Sequence, residues 1–179
     1  MNIQKLKEAY LQIVSEDQID DWFKRFPPYK TQSFVNKYRS IYPIYFNSDG
    51  TIPKSVNDSK YRIVFMTVEE NDLIYLDVSF GKYDETNKDF NVKQSKSEDQ
   101  VEAIRVFTTV ISEIIKFYNS MPNHIDVIEF AAYTDEPSRV RLYDTFAPLL
   151  AKKLNFKLFT RFKSIGMIYT LAKDERKVE

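Results

Sequence analysis

The segment EPSRVRLYDTFAPLLAKKLNF, Glu136 to Phe156, puts Ser138, Arg139 and Arg141 at the start of an expected helix. A helix start presents N–H groups without partners, so a hydroxyl and two guanidiniums there could hold a phosphate or a carboxylate, on a ligand or on a partner protein. The same residues also suit a purely structural purpose: Asp135 or Ser138 caps the helix, Pro137 fits its first turn, and the arginines pair with Asp135, Glu136 or Asp144. Tyr143 carries a phenol able to give up a proton. It shares a helix face with Phe146, Ala147, Leu150 and Leu154, and that spacing favours a place in the core. Glu69, Glu70, Asp72 and Asp77 are carboxylates that could deprotonate an amine or simply solvate a turn and a strand face. His124 has no His or Cys partner and precedes a strand, which favours a loop or strand-cap role over catalysis. Trp22, Phe23, Phe26 and Tyr29 crowd around Pro27-Pro28, rimmed by Lys24, Arg25 and Lys30; they either dock an N-terminal helix on the core or anchor a protein partner. Lys152, Lys153, Lys157, Arg161 and Lys163 form the most basic stretch, but its phenylalanines are needed by strands, so nucleic-acid binding is not expected.

Bulk composition narrows these options. The chain has 179 residues, 26 basic and 26 acidic, so no net field steers it to nucleic acid or anionic lipid. With no Cys and one His, thiolate nucleophiles, disulfides and multi-His metal sites are excluded, and a reducing cytoplasm is the expected place of synthesis. No stretch approaches the roughly 20 apolar residues of a membrane span. Only 3 glycines accompany 12 Tyr and 14 Phe, a composition for packed aromatic surfaces rather than phosphate-wrapping loops.

Ile3, Leu6, Ala9, Tyr10 and Ile13 predict a helix, and Ser15 with Gln18 forms a capping-box pattern for a second, ended by Pro27-Pro28. Thr31 to Tyr42 is predicted to add a helical turn or two before an extended piece, Ile44 to Phe46. Turn residues fill Asn47 to Lys60, the expected boundary of the core. Tyr61 to Val68 and Leu73 to Phe80 predict a hairpin, and Gly81 to Lys96 a loop. Ser97 then opens the strongest helical pattern of the chain, through Tyr118; Ile125 to Tyr133 reads as a central strand. The helix of the opening segment should be kinked or split by Pro148, and Phe156 to Phe162 and Ile165 to Ala172 close the chain as strands.

From Tyr61 the order is strand, strand, long helix, strand, helix, strand, strand. With Leu142-Tyr143 and Leu154-Asn155-Phe156 before the last strand pair, it resembles the GNAT superfamily of N-acetyltransferases over Tyr61 to Ala172. That resemblance implies acetyl-CoA or another acyl-CoA as cofactor, a strand carboxylate as base, and Tyr143 as proton donor to the departing thiolate. It also implies a Gln/Arg-x-x-Gly-x-Gly/Ala turn that lets backbone N–H groups approach a pyrophosphate. Lys82 to Gln100 contains no Gly, and Asn155 replaces the family's Gly before Phe. The chain also looks like tailed-bacteriophage proteins that share an acid-Pro-Ser-Arg-x-x-Leu-Tyr helix, matched by Glu136, Pro137, Ser138, Arg139, Leu142 and Tyr143.

The expectation is therefore an α/β (α+β) protein with a GNAT-like mixed sheet flanked by helices. Residues 1–46 would form a helical extension, 47–60 a linker, 61–172 the core and 173–179 a charged tail. The resemblances imply a degenerate cofactor site and a non-catalytic structural or adaptor role in a tailed phage, in the virion or the host cytoplasm. Its partners would be other proteins or copies of itself, with no metal, cofactor, nucleic acid or membrane. An acyl-CoA-dependent N-acyltransferase with a divergent loop, and an inhibitor or regulator of a host protein, are the alternatives.

Overall fold

Alternating apolar residues in YRIVFMTVEE and LIYLDVSFGKYD, joined by a two-residue turn, make the longest hairpin of the molecule, and the other elements assemble around it. Both turn residues, Asn71 and Asp72, adopt positive φ (52° and 61°), which Asn and Asp tolerate and which suits the twist of paired strands. The computed structural model describes residues 18–34, 40–91, 100–121, 124–133, 137–164 and 166–173. In chain order these form α1 (Gln18–Arg25), β1 (Thr31–Gln32), β2 (Ile41–Phe46), β3 (Tyr61–Glu70), β4 (Leu73–Asp84), β5 (Asp89–Asn91), α2 (Gln100–Ser120), β6 (Val127–Tyr133), α3 (Pro137–Leu154), β7 (Lys157–Lys163) and β8 (Gly166–Ala172).

The sheet has eight strands in the order β1-β2-β3-β4-β6-β8-β7, with β5 paired to β4. All described pairs are antiparallel except β4 with β6, which α2 connects. That parallel pairing covers only Tyr75–Val78 against Val127–Phe130. Beyond it β4 turns to β5 while Ala131–Tyr133 of β6 pairs with β8, so the two strands part company.

Period-two alternation sorts the sheet into two faces. Register puts Ile63, Phe65, Val78, Phe80, Ile128, Phe130, Tyr169 and Leu171 on one face, where they are buried with Phe107, Ile111 and Ile114 of α2 and Phe146 and Leu150 of α3. The opposite face carries Tyr75, Asp77, Glu129 and Thr170, and a small cluster of Leu73, Val127 and Ala172 against Phe159. Helix α1 joins the helix layer through Trp22, whose ring meets Phe146 edge-on at 4.9 Å and whose indole N–H donates to Thr108 Oγ1 at 2.9 Å. Gly166 starts β8 at φ +153°, where a Cβ would lie 2.1 Å from the Ala132 carbonyl oxygen, so only glycine permits this approach.

The mixed sheet flanked by helices is the architecture expected, and the order after Tyr61 is the expected one with one strand, β5, added before the long helix. Several local expectations change. Thr31–Gln32 and Ile41–Tyr42 are strand rather than helix, because Ile41–Tyr42 takes its backbone hydrogen bonds from β3 and Thr31–Gln32 pairs with the far end of β2, where a short isolated helix would be marginal; residues 35–39, where the rest of that predicted turn falls, lie outside the described residues. The sheet therefore starts before the expected boundary at 47–60, and that connection is tied down rather than loose: Asn47 Oδ1 accepts the Lys60 N–H at 2.7 Å and its Nδ2 donates to the Asp58 carbonyl at 3.0 Å. The expected loop after Gly81 instead prolongs β4 to Asp84 and returns as β5. Helix α3 runs unbroken through Pro148, which sits on its exposed side where water can satisfy the carbonyl that lost its donor. The predicted first helix, the Ser15 cap and residues 174–179 lie outside the described residues. No described helix is long and apolar enough to cross a membrane.

Candidate functional site

Helical spacing in α3 sends Arg139 and Tyr143 inward together, one turn apart. Tyr143 is 3% exposed, and its ring centroid lies 4.8 Å from Phe107, 4.7 Å from Phe130 and 5.3 Å from Tyr169. Arg139 is 4% exposed, with its guanidinium carbon 4.3 Å from the centroid of the Phe80 ring. Phe80 in turn meets Phe107 edge-on at 6.0 Å. A guanidinium over an aromatic face keeps part of its electrostatic stabilisation out of water, because the ring's quadrupole is negative at that face. These contacts pack one cation and five aromatic rings together on the helix face of the sheet, beside the point where β4 and β6 part.

Arg141, two residues on, is exposed, so the structure does not bring the two arginines to one anion. Ser138 lies in the first turn of α3. Tyr169 joins the cluster from β8: its hydroxyl donates to Asp144 Oδ1 at 2.6 Å, with the Val140 carbonyl oxygen as the more distant alternative acceptor at 3.2 Å. Burial, and then the Asp144 carboxylate, raise its pKa, so it stays a phenol. Sequence reading missed Tyr169, since nothing local links a strand tyrosine to a helix 25 positions earlier.

On the opposite face, Asp77 and Glu129 stand side by side in the parallel register. Glu129 Oε2 accepts from Thr170 Oγ1 at 3.0 Å and lies 3.5 Å from Arg161 Nη2. Asp77 is half-buried; desolvation and then the Glu129 charge raise its pKa. Of the carboxylates singled out in the sequence, Glu69, Glu70 and Asp72 are exposed at the hairpin end, and only Asp77 reaches this junction. Glu129 and Thr170 had no visible signal, because strand register alone creates their proximity.

The remaining candidates are placed as follows. Trp22 and Tyr29 are buried, with the Tyr29 N–H donating to Thr109 Oγ1 at 2.9 Å, while Phe23 and Phe26 are partly buried against the same core. This cluster docks α1. His124 is exposed in a turn, its N–H donating to the Met121 carbonyl. Lys152 and Lys153 end α3, Lys153 meeting Asp20 of α1 at 2.8 Å, and Lys157, Arg161 and Lys163 lie along β7. Among the described residues no group of three or more His, Asp or Glu is placed to hold a metal ion.

By sequence, no protein-family model and no curated protein matches this chain. Solved structures with a similar course include the N-acetyltransferase PseH of Campylobacter jejuni, at TM-score 0.42 and 10% identity over 97% of this chain and 93% of that one. NAA60 of Arabidopsis thaliana, solved with a bisubstrate analogue, follows at 0.40 and 12% identity, covering 94% and 89%. AAC(6')-Ib, solved with acetyl-CoA, gives 0.39 and 12% identity, covering 98% and 91%. None shares enough sequence or geometry to transfer a residue's role to this chain.

Proposed function

We propose that this chain is a non-catalytic binding module, a structural or adaptor domain on an acetyltransferase-like sheet, of the kind the helix motif suggests for a tailed bacteriophage. The observation supporting this reading is the packing of Arg139 on Phe80 beside the Phe107–Tyr143–Phe130 contacts. A cofactor entering between β4 and β6 would have to displace a buried guanidinium from its ring and open an aromatic cluster. The glycine-free segment after Gly81 points the same way. Acetyl-CoA is therefore expected not to bind. A ligand at 100 times its Kd would stabilise the native state by about 2.7 kcal/mol, a rise of roughly 5–10 °C in a protein of this size. Such a rise in a thermal melt with acetyl-CoA would sink the proposal, and co-purification with phage particles would support its phage setting.

The acyltransferase reading has one observation of its own in its favour: Asp77, a strand carboxylate with a raised pKa, sits where β4 and β6 part. An acid tuned upward is better suited to accept a proton near neutral pH. The same melt decides between the two.

A further inference from the structure

Strand β7 ends the sheet, and no described segment pairs with its outer side. It is seven residues long, none of them buried, and Phe162 is 71% exposed. We propose that this edge is a docking strand for an extended acidic segment of a partner protein, added to the sheet beside β7. The proposal rests on the binding-module reading and names the partner's chemistry.

An edge strand offers a row of backbone donors and acceptors, and a peptide that adds to it is selected by its alternate side chains. In β7 the two rows differ in kind. Lys157, Phe159, Arg161 and Lys163 point to the face that carries Glu129; Leu158, Thr160 and Phe162 point to the helix side. Directly opposed side chains on neighbouring strands interact, and like charges so placed repel. The complementary segment therefore has Asp or Glu on the side facing Lys157, Arg161 and Lys163, with an apolar residue tolerated opposite Phe159, and apolar or β-branched residues at the positions between. A second copy of this chain fits badly: antiparallel pairing of two β7 strands about Thr160 sets Lys157 against Lys163, and pairing about Phe159 sets Lys157 against Arg161. The charge row thus favours a foreign acidic strand over self-association. Arg161 lies 3.5 Å from Glu129 and is half-exposed, so its charge is shared between that carboxylate and solvent.

The test uses the full chain and a fluorescein-labelled peptide with Glu at alternate positions and Val between them. Controls are a peptide of the same composition with the Glu residues in one block, and one with Lys in place of Glu. Fluorescence anisotropy is expected to show the alternating acidic peptide binding at least tenfold more tightly than either control, and hydrogen exchange to show new protection of β7 amides. The double variant R161E/K163E should lose at least tenfold in affinity for the acidic peptide and gain for the Lys peptide; Lys163→Glu alone, which leaves the Arg161–Glu129 pair intact, should shift both in the same direction with an unchanged melting temperature. Phe162→Ser should weaken binding without reversing the charge preference. No binding at millimolar peptide, equal binding of the blocked peptide, indifference to charge reversal, or protection elsewhere than β7 would each overturn the proposal. Stabilisation by acetyl-CoA, measured separately, would count against the non-catalytic reading alone.

Discussion

Tyr143 separates the packing account from a catalytic one most directly. Truncating it to Ala removes a ring that touches Phe107, Phe130 and Tyr169 at centroid distances of 4.8, 4.7 and 5.3 Å, in a site 3% exposed. Loss of a buried aromatic side chain costs about 3–5 kcal/mol, from transfer and from the cavity left behind. For a chain of this size, each kcal/mol shifts the melting temperature by about 2–4 °C, so Tyr143→Ala should melt roughly 10 °C lower. Tyr143→Phe keeps all three ring contacts and loses only the hydroxyl, a cost of about 1 kcal/mol. Urea unfolding followed by tyrosine or tryptophan fluorescence gives both values. If the Ala variant loses less than about 1 kcal/mol, or the Phe variant loses as much as the Ala variant, the ring is not what holds the site and the packing argument is wrong.

Two further changes test the elements around the cluster. Thr108→Val leaves the buried Trp22 indole N–H without its 2.9 Å acceptor and should cost about 1–3 kcal/mol; combining it with Trp22→Phe should cost less than the sum, because the orphaned donor is then gone. The raised pKa of Asp77 means that the folded chain holds this proton more tightly than the unfolded chain. Stability should therefore fall as pH rises from near 3.8 through the raised value. Asp77→Asn should increase stability at neutral pH and flatten its decline between about pH 4 and 7, where an ordinary Asp has already ionised. A chemical-denaturation series across pH would show it, and an unchanged slope would contradict the upward shift that burial and then the Glu129 charge impose on Asp77.

How far a feature could be read in advance depended on how local its cause is. Helix α2 was legible because Ile104, Phe107, Ile111 and Ile114 repeat at helical spacing within one segment. The β3–β4 hairpin was legible from alternation and its Asn-Asp turn. Thr31–Gln32 and Ile41–Tyr42 were misread because their strand state depends on pairing with β2 and β3 respectively, contacts that the spacing of a few apolar residues does not encode. Arg139 and Arg141 looked equivalent as helix-start cations; the direction of α3 relative to β4 made one a buried neighbour of Phe80 and left the other in water.

The sequence by itself determined the main helices and strands after Tyr61 other than β5, the absence of thiolate and multi-histidine chemistry, and the aromatic character of the core, since each follows from residue type or from spacing within one element. Only the tertiary structure decided that Arg139 stacks on Phe80, that Asp77 meets Glu129, and that the basic row of β7 lies on a strand whose outer side pairs with no described segment. The physical reason is the same in each case: strand order and register bring distant residues within a few ångströms, and there burial and charge act on pairs that the linear chain keeps apart.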